Sequence, residues 1–268
     1  KSRKTFLCTA LVASAIAFPY PDRDGFETVT ANYDRRVVWL DTEQGEQHVR
    51  KVITRINHIS GATRVGREID ERVEVYSLRE YKPRERMAVL ADSIRLHAPD
   101  IVVVDGISDL MHNTNDLEES DRIVGDIMAL STLYNCHIIC VLHTNPGSDK
   151  ARGHIGSALQ RKAETVIYVH RVGETSIVEP QFCRNEPFER FAFKVDEQGI
   201  PALCELPMES IAPDQMAAVI LRDMYGGAVE RQVLTKRLVS DYGLSQDAAR
   251  MRISRAIRNG NIVADGDI

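Results

Sequence analysis

Short apolar runs alternate with longer amphipathic stretches along the first half of the chain. Four runs rich in β-branched residues are predicted to be strands, at 36–40, 73–78, 101–104 and 137–142. The stretches between them are predicted to be helices, at 46–59, 83–97 and 117–134. Buried strands that alternate with helices are typical of a parallel sheet covered on both faces. The pattern therefore predicts an α/β fold with a mostly parallel central sheet.

The pattern changes after residue 165. Three shorter strands are predicted at 166–170, 176–181 and 190–195, as an antiparallel extension of the sheet. A linker is predicted at 200–213, followed by helices at 214–225, 230–242 and 245–259 and by one wing strand at 261–264. We therefore expect a core domain over 1–207, with its first strand upstream of residue 1, and a small winged-helix-like helical domain over 211–268.

The first residues match the second half of a phosphate-binding loop, whose full pattern is G-x-x-x-x-G-K-[ST] followed by a helix. Lys4 and Thr5 would form the final pair, and Arg3 stands where the last glycine is expected. These three residues are the candidate nucleotide-binding residues. One alternative stays open, because a basic run followed by the apolar segment 6–18 also outlines a secretory signal peptide.

Polar residues follow the predicted strands, at the edge where α/β sheets bind ligands. Asp105 follows four apolar residues, as in a Walker B segment, and would hold Mg²⁺ together with Thr5. If the loop binds a nucleoside triphosphate, Glu43 could activate the water that attacks its γ-phosphate, and His143 could sense that phosphate. Each residue has an alternative interpretation. Asp105 could be a strand-end carboxylate that caps the next turn, and Glu43 could belong to a solvated acidic loop. His143 could be a hydrogen-bonded core histidine.

Composition limits the classes of partner. The net charge is −5, from 34 basic and 39 acidic residues, so contact with DNA must come from local patches. Candidate patches are Lys150 and Arg152 in a predicted mobile loop over 146–160, and three arginines of the last helix: Arg252, Arg255 and Arg258. Five cysteines without C-x-x-C spacing argue against a zinc site or a disulfide framework and favour a reducing cytoplasm.

These motifs resemble those of RecA-like hexameric P-loop ATPases (AAA_25-like), especially the RepA-type and DnaB-type replicative helicases of mobile elements. The resemblance covers residues 1 to about 205. It is carried by Arg3-Lys4-Thr5, Asp41-Thr42-Glu43, IVVVDG at 101–106, His143-Thr144-Asn145, ARGHIGSAL at 151–159 and CRNEP at 183–187. It implies that Arg184 is an arginine finger for the ATP site of a neighbouring subunit. The lysine that precedes this finger in DnaB-type helicases is Phe182 here.

The sequence therefore predicts an ATP- and Mg²⁺-dependent homo-oligomer, expected to be a hexameric ring, that moves single-stranded or duplex DNA in the cytoplasm without contacting a membrane. A nucleotide-gated DNA-binding or loading factor with little or no hydrolysis is the second hypothesis. A secreted globular protein is a third and more distant one.

Overall fold

The computed structural model describes residues 3–17, 26, 32, 34–63, 70–145, 150–207, 216–242 and 244–264. The chain divides into two compact units, Lys1–Cys204 and Glu205–Ile268. Within these described ranges, the first unit contains two four-stranded sheets with helices, and the second contains three helices.

A parallel sheet forms the centre of the first unit. Its strands are Val37–Asp41 (β1), Val73–Ser77 (β2), Ile101–Asp105 (β3) and His137–Val141 (β4), in the order β2-β1-β3-β4. The register pairs Asp41 with Asp105 and Asp105 with Val141. The last residues of β1, β3 and β4 therefore lie side by side at one edge of the sheet.

Helices cover both faces of this sheet. Lys4–Ala15 (α1) and Glu46–Ser60 (α2) pack on one face, and Pro83–His97 (α3), Leu117–Tyr134 (α4) and Gly153–Lys162 (α5) pack on the other. Because successive strand residues point to opposite faces, Trp39 contacts the first helix layer and Leu40 the second. Both side chains are completely buried.

A second sheet is antiparallel and consists of Thr165–Val172 (β5), Thr175–Cys183 (β6), Phe191–Val195 (β7) and Pro201–Cys204 (β8), in that order. This antiparallel sheet is separate from the parallel sheet. Leu7 on α1 packs against Val169, Val178 and Phe193 of this sheet. Helix α1 therefore contacts both sheets, because other residues of the same helix pack on β1, β3 and β4.

The predicted α/β fold is confirmed, and the structure corrects two local parts of the prediction. The residues 201–204, predicted to be part of a linker, form β8 by pairing with β7. The residues 153–162, predicted to belong largely to a mobile loop, form helix α5.

The glycines of α5 explain why that helix was missed, because glycine is common in loops. Here they allow close packing instead. A Cβ at Gly153, where φ is +68°, would lie 2.3 Å from the Thr114 carbonyl oxygen. The residues 146–149 of the predicted loop lie outside the described residues.

The second unit contains helices Met216–Tyr225 (α6), Arg231–Tyr242 (α7) and Gln246–Arg258 (α8). Its buried core is formed by Ala217, Ile220, Leu234, Leu238, Ala249, Ile253 and Ala256. The prediction of a wing strand at 261–264 is wrong, since these residues follow the turn after α8 without strand pairing. In the part of the chain that the structure describes, no helix has the length and apolar character needed to cross a membrane.

The N-terminus of α4 offers a test of local stability. The Asp116 side chain caps the helix by accepting a hydrogen bond from the Glu119 N–H at 2.8 Å. Asp116→Ala should lower the free energy of unfolding by about 1 kcal/mol, because one helix N–H loses its partner. Urea denaturation measures this change. Asp126→Ala, which removes a half-buried carboxylate from the middle of the same helix, is the matched control. An equal loss in both variants would contradict the capping role.

Candidate functional site

The turn before α1 has an unusual backbone. Arg3 is the N-cap residue and adopts the left-handed conformation, with φ 66° and ψ 31°. Its carbonyl oxygen accepts hydrogen bonds from the N–H groups of Phe6 and Leu7, which start the helix. The N-terminus of a helix carries partial positive charge and free N–H groups, so it attracts anions such as phosphate.

Lys4 is the first residue of α1 and is half-buried. Burial lowers the pKa of its ammonium group, while the nearby carboxylates of Asp105 and Glu43 oppose this shift. A desolvated lysine beside carboxylates is stabilised by a bound polyanion, because the anion replaces lost solvation. Lys4 therefore has the environment expected of a phosphate-binding lysine.

Thr5 and Asp105 meet at the edge of the sheet although 100 residues separate them. The Thr5 hydroxyl donates a hydrogen bond to Asp105 Oδ2 at 2.7 Å. Burial raises the pKa of Asp105 to about 6; the bond from Thr5 lowers it, and the charges of Asp41 and Glu43 raise it further. The structure thus brings together the two residues that the sequence assigned to Mg²⁺.

Glu43 and His143 also meet. His143 Nε2 lies 3.0 Å from Glu43 Oε1 and 3.2 Å from Glu43 Oε2. The loop that carries Glu43 is held by Asp41, whose carboxylate accepts hydrogen bonds from the N–H groups of Glu43 and Gln44 at 3.1 and 2.7 Å. A Cβ on Gly106 would lie 2.8 Å from Glu43 Oε1, so this glycine leaves room for the carboxylate.

Five predicted residues thus gather around the carboxyl ends of β1, β3 and β4. They share side chains that can bind phosphate, hold a metal or move a proton. We call them the strand-end cluster: Lys4, Thr5, Glu43, Asp105 and His143.

Thr42 joins the loops that follow β1 and β3, a role that the sequence pattern did not predict. Its hydroxyl accepts a hydrogen bond from the Gly106 N–H at 3.0 Å and lies 3.0 Å from Asp109 Oδ2. Its N–H donates to the Asp105 carbonyl oxygen at 2.8 Å. The signal available in the sequence was a small hydroxyl residue between two acidic residues at a strand end. It did not indicate a partner 64 positions away.

Lys4 and His143 line an open cavity of about 570 Å³. Its other lining residues come from the end of β4 and from the β5–β6 hairpin: Thr144, Tyr168, Val169, His170, Arg171 and Gly173. This volume lies within the range of small-molecule sites. A second cavity of about 630 Å³ lies between α3 and α4 and is lined by no member of the strand-end cluster.

The Arg3 side chain points to the same hairpin. Its guanidinium donates to the Glu174 carbonyl oxygen at 2.7 Å and to Glu174 Oε2 at 2.9 Å. Arg3, predicted to bind nucleotide, is therefore engaged by a protein carboxylate in the structure.

The remaining predicted residues of the first unit lie outside the strand-end cluster. Arg184 follows β6, is largely exposed and forms an ion pair with Glu164 at 3.4 Å. Lys150 and Arg152 are exposed on the segment after β4. The Arg152 N–H donates to the His143 carbonyl oxygen at 3.0 Å, so this segment is attached directly to a residue of the cluster.

In the second unit the three predicted arginines lie on α8. Arg255 and Arg258 are exposed, and Arg252 is half-buried.

Comparison with known proteins agrees with this geometry. The model of a family described as an AAA domain matches residues 1–149, which include every member of the strand-end cluster. The chain belongs to this AAA domain family, AAA_25. Among solved structures, the crystal structure of the RadB recombinase aligns with a TM-score of 0.50 and 16% sequence identity, covering 77% of this chain and 86% of that one. No curated protein matches the sequence. Family and fold together are those of a RecA-like P-loop ATPase.

The donor atoms at this edge fit magnesium. Mg²⁺ prefers oxygen ligands and commonly takes one or two from protein side chains, with the rest from substrate phosphates and water. Thr5 Oγ1 and Asp105 Oδ2 supply two adjacent oxygens. Among the described residues, no group of three or more His, Cys, Asp or Glu side chains could hold a metal ion by itself. The two protein oxygens of Thr5 and Asp105 match the number that Mg²⁺ commonly takes from side chains when substrate phosphates and water supply the rest.

The burial of Asp105 predicts opposite effects on stability and function. Its pKa is raised from 3.8 to about 6, so the folded protein holds a proton that the unfolded chain loses between these values. The free energy of unfolding should therefore fall as the pH rises from 3.8 to about 6, and this loss of stability persists at neutral pH. In EDTA at pH 7.5, Asp105→Asn should raise the free energy of unfolding by up to about 3 kcal/mol.

The gain from Asp105→Asn should disappear below about pH 4, where aspartate is protonated in both states. The same variant should lose Mg²⁺-dependent ATP binding. Denaturation across pH and titration with a fluorescent ATP analogue measure the two effects. Asp92→Asn, at an exposed carboxylate of α3, is the control. A destabilised Asp105→Asn protein at pH 7.5 would contradict the prediction.

Proposed function

We propose that this protein binds and hydrolyses ATP as an oligomeric motor on DNA, of the RepA- or DnaB-like helicase type, in the replication or mobilization of a mobile element. The observation that carries the proposal is the meeting of Lys4, Thr5, Asp105, Glu43 and His143 at one edge of a parallel sheet. Each of these side chains has a chemical part in phosphoryl transfer to water.

Lys4 and the N-terminus of α1 hold the phosphates. The lysine is half-buried next to two carboxylates, and the helix N-terminus adds partial positive charge at the same place. An ATP triphosphate is a strong polyanion, so its β- and γ-phosphates are the natural partners of this group.

Thr5 and Asp105 would hold Mg²⁺, which neutralises charge on the phosphates when it is bound. The two oxygens are preorganised by their hydrogen bond of 2.7 Å. A divalent cation next to Asp105 would also stabilise the charged form of this buried carboxylate, which burial alone disfavours.

Glu43 is the candidate general base. It lies close enough to Asp105 and Lys4 to influence the pKa of each. A carboxylate in that position can orient a water and accept its proton as the water attacks the γ-phosphate. His143 holds the Glu43 carboxylate at 3.0 Å and is bonded through its carbonyl oxygen to Arg152. Cleavage of the γ-phosphate can thus be coupled to the basic segment after β4.

Oligomerisation is proposed from Arg184. This arginine is exposed and lies next to Glu164 rather than at the cavity that contains Lys4. A neighbouring subunit in a ring, which we take to be a hexamer, could receive it as an arginine finger.

Two basic groups are proposed to contact the phosphates of DNA. Lys150 and Arg152 would form the first contact, and three arginines of α8 would add a second: Arg252, Arg255 and Arg258. We place this activity in the cytoplasm.

A nucleotide-gated DNA-binding or loading factor is the second candidate. It is favoured by two residues, Arg3 in the phosphate loop and Phe182 where DnaB-type helicases have a lysine next to the finger. Both changes leave phosphate binding possible while removing features that accompany fast hydrolysis. ATPase assays with and without single-stranded DNA separate the two candidates.

Glu43→Gln tests the proposed base. The substitution keeps the size and one oxygen of the side chain but removes proton acceptance. We expect ATP turnover to fall by about 10²- to 10⁴-fold while the Kd for ATP changes little. Steady-state ATPase assays and equilibrium binding measure the two quantities. Glu46→Gln, on the exposed first turn of α2, is the matched control and should retain activity. Unchanged turnover in Glu43→Gln would remove Glu43 from the mechanism.

Mixing experiments test the role of Arg184 in a neighbouring site. Arg184→Ala should be nearly inactive, because arginine fingers contribute about 10³- to 10⁵-fold to turnover, and Lys4→Ala should be nearly inactive because it loses the lysine that holds the phosphates. Mixed oligomers should regain activity, since some interfaces combine an intact Lys4 site with an intact Arg184. ATPase activity as a function of mixing ratio is the measurement. Additive residual activities at every ratio would contradict a finger that acts between subunits.

A further inference from the structure

Arg3 departs from the phosphate-loop pattern and yet keeps the backbone that the pattern requires. Glycine is favoured at this place because the backbone is left-handed there, and other residues rarely adopt that conformation. Arg3 adopts it with φ 66°. Its side chain is 16% exposed, so it is packed against the protein rather than extended into solvent.

The partner of Arg3 is built into a tight hairpin. Glu174 lies in the turn between β5 and β6, next to Gly173, whose φ is +56°. One carboxylate oxygen of Glu174 accepts from Arg3 at 2.9 Å, and the other accepts from Arg171 at 2.9 Å. The Glu174 carbonyl oxygen accepts a second bond from Arg3 at 2.7 Å. The guanidinium is therefore fixed by two acceptors on one residue.

The β5–β6 hairpin also forms one wall of the open cavity that is proposed to bind the nucleotide. Arg171 and Gly173 line the cavity together with Lys4. The same bonds that fix Arg3 thus join the turn before Lys4 to this wall. Because Lys4 and Thr5 directly follow Arg3, a fixed Arg3 limits the movement of the first turn of α1.

We propose that Arg3 is a positioning residue, which Glu174 holds so that the left-handed turn before α1 keeps Lys4 and Thr5 directed at the phosphates. This inference rests on the proposed nucleotide site. The competing role is a direct phosphate ligand, in which Arg3 leaves Glu174 when nucleotide binds. The two roles predict opposite effects when the Glu174 carboxylate is removed.

A double-mutant cycle separates these roles, with ATP and inorganic tripolyphosphate as probes. Glu174→Ala should raise the Kd for both probes by about two- to five-fold, the range expected for a mostly exposed ion pair, since Glu174 is 78% exposed. With Arg3→Gly as the background, Glu174→Ala should not weaken binding. Arg3→Lys should keep most of the affinity, because a lysine can retain the ion pair.

Three controls accompany the cycle. Asp92→Ala removes a similarly exposed, ion-paired carboxylate from α3 and should leave both Kd values unchanged. The thermal midpoint of Glu174→Ala should match that of the unaltered protein, so that a loss of affinity is not a loss of folding. Lys4→Ala should abolish binding of both probes.

The outcomes that overturn the inference are distinct. Tighter binding in Glu174→Ala would show Arg3 to be a phosphate ligand restrained by Glu174. If Glu174→Ala raises the Kd equally in the unaltered protein and in the Arg3→Gly background, Glu174 acts without Arg3. If Lys4→Ala still binds tripolyphosphate, the proposed nucleotide site is wrong and the inference falls with it. If Lys4→Ala loses binding but the cycle shows no coupling, the inference alone fails.

Discussion

The hydrogen bond from Thr5 to Asp105 connects the first turn of α1 with the carboxyl end of β3. This bond positions the rest of the site, because α1 carries Lys4 and because Asp105 pairs in register with Asp41 of β1 and Val141 of β4. The loops after β1 and β4 then leave the sheet next to Asp105 and bring Glu43 and His143 to each other. A parallel sheet makes this convergence possible, since all its strands end at the same edge.

Three carboxylates concentrate negative charge at the partly desolvated edge of the sheet where the strand-end cluster lies. Asp41 and Asp105 are buried, burial raises the pKa of both, and Glu43 adds a third carboxylate nearby. Hydrogen bonds from backbone N–H groups stabilise Asp41, whereas Asp105 has the Thr5 hydroxyl and the charges of Lys4 and His143. Such an arrangement costs stability without ligand and favours binding of a cation with its anionic substrate. Sites with perturbed carboxylates are often functional for this reason.

Helix α1 is the mechanical link between the two sheets of the first unit. Its buried face packs on the parallel sheet, Leu7 packs on the antiparallel sheet, and its N-terminus faces the cavity. Burial of residues 7–10 and 12–14 makes the apolar opening of the chain part of the folded core. This supports the phosphate-loop interpretation of the opening over the export-signal alternative.

Local sequence pattern was enough to predict the parallel strands and the helices that cover them, because burial on both faces produces continuous apolar runs and capping residues mark the helix ends. It also indicated Lys4, Thr5, Asp105, Glu43 and His143, since polar residues directly after buried strands collect at the ligand-binding edge of such a sheet. Long-range packing alone settled three further features: the role of Thr42, the room that Gly106 leaves for Glu43 and the pairing of Arg3 with Glu174. These contacts join residues between 63 and 171 positions apart, and no local pattern records which distant partner a hydroxyl, a glycine or a guanidinium will meet. Long-range packing also decided that 153–162 is a helix, because its first glycine, Gly153, allows close packing against Thr114 and does not mark a flexible loop.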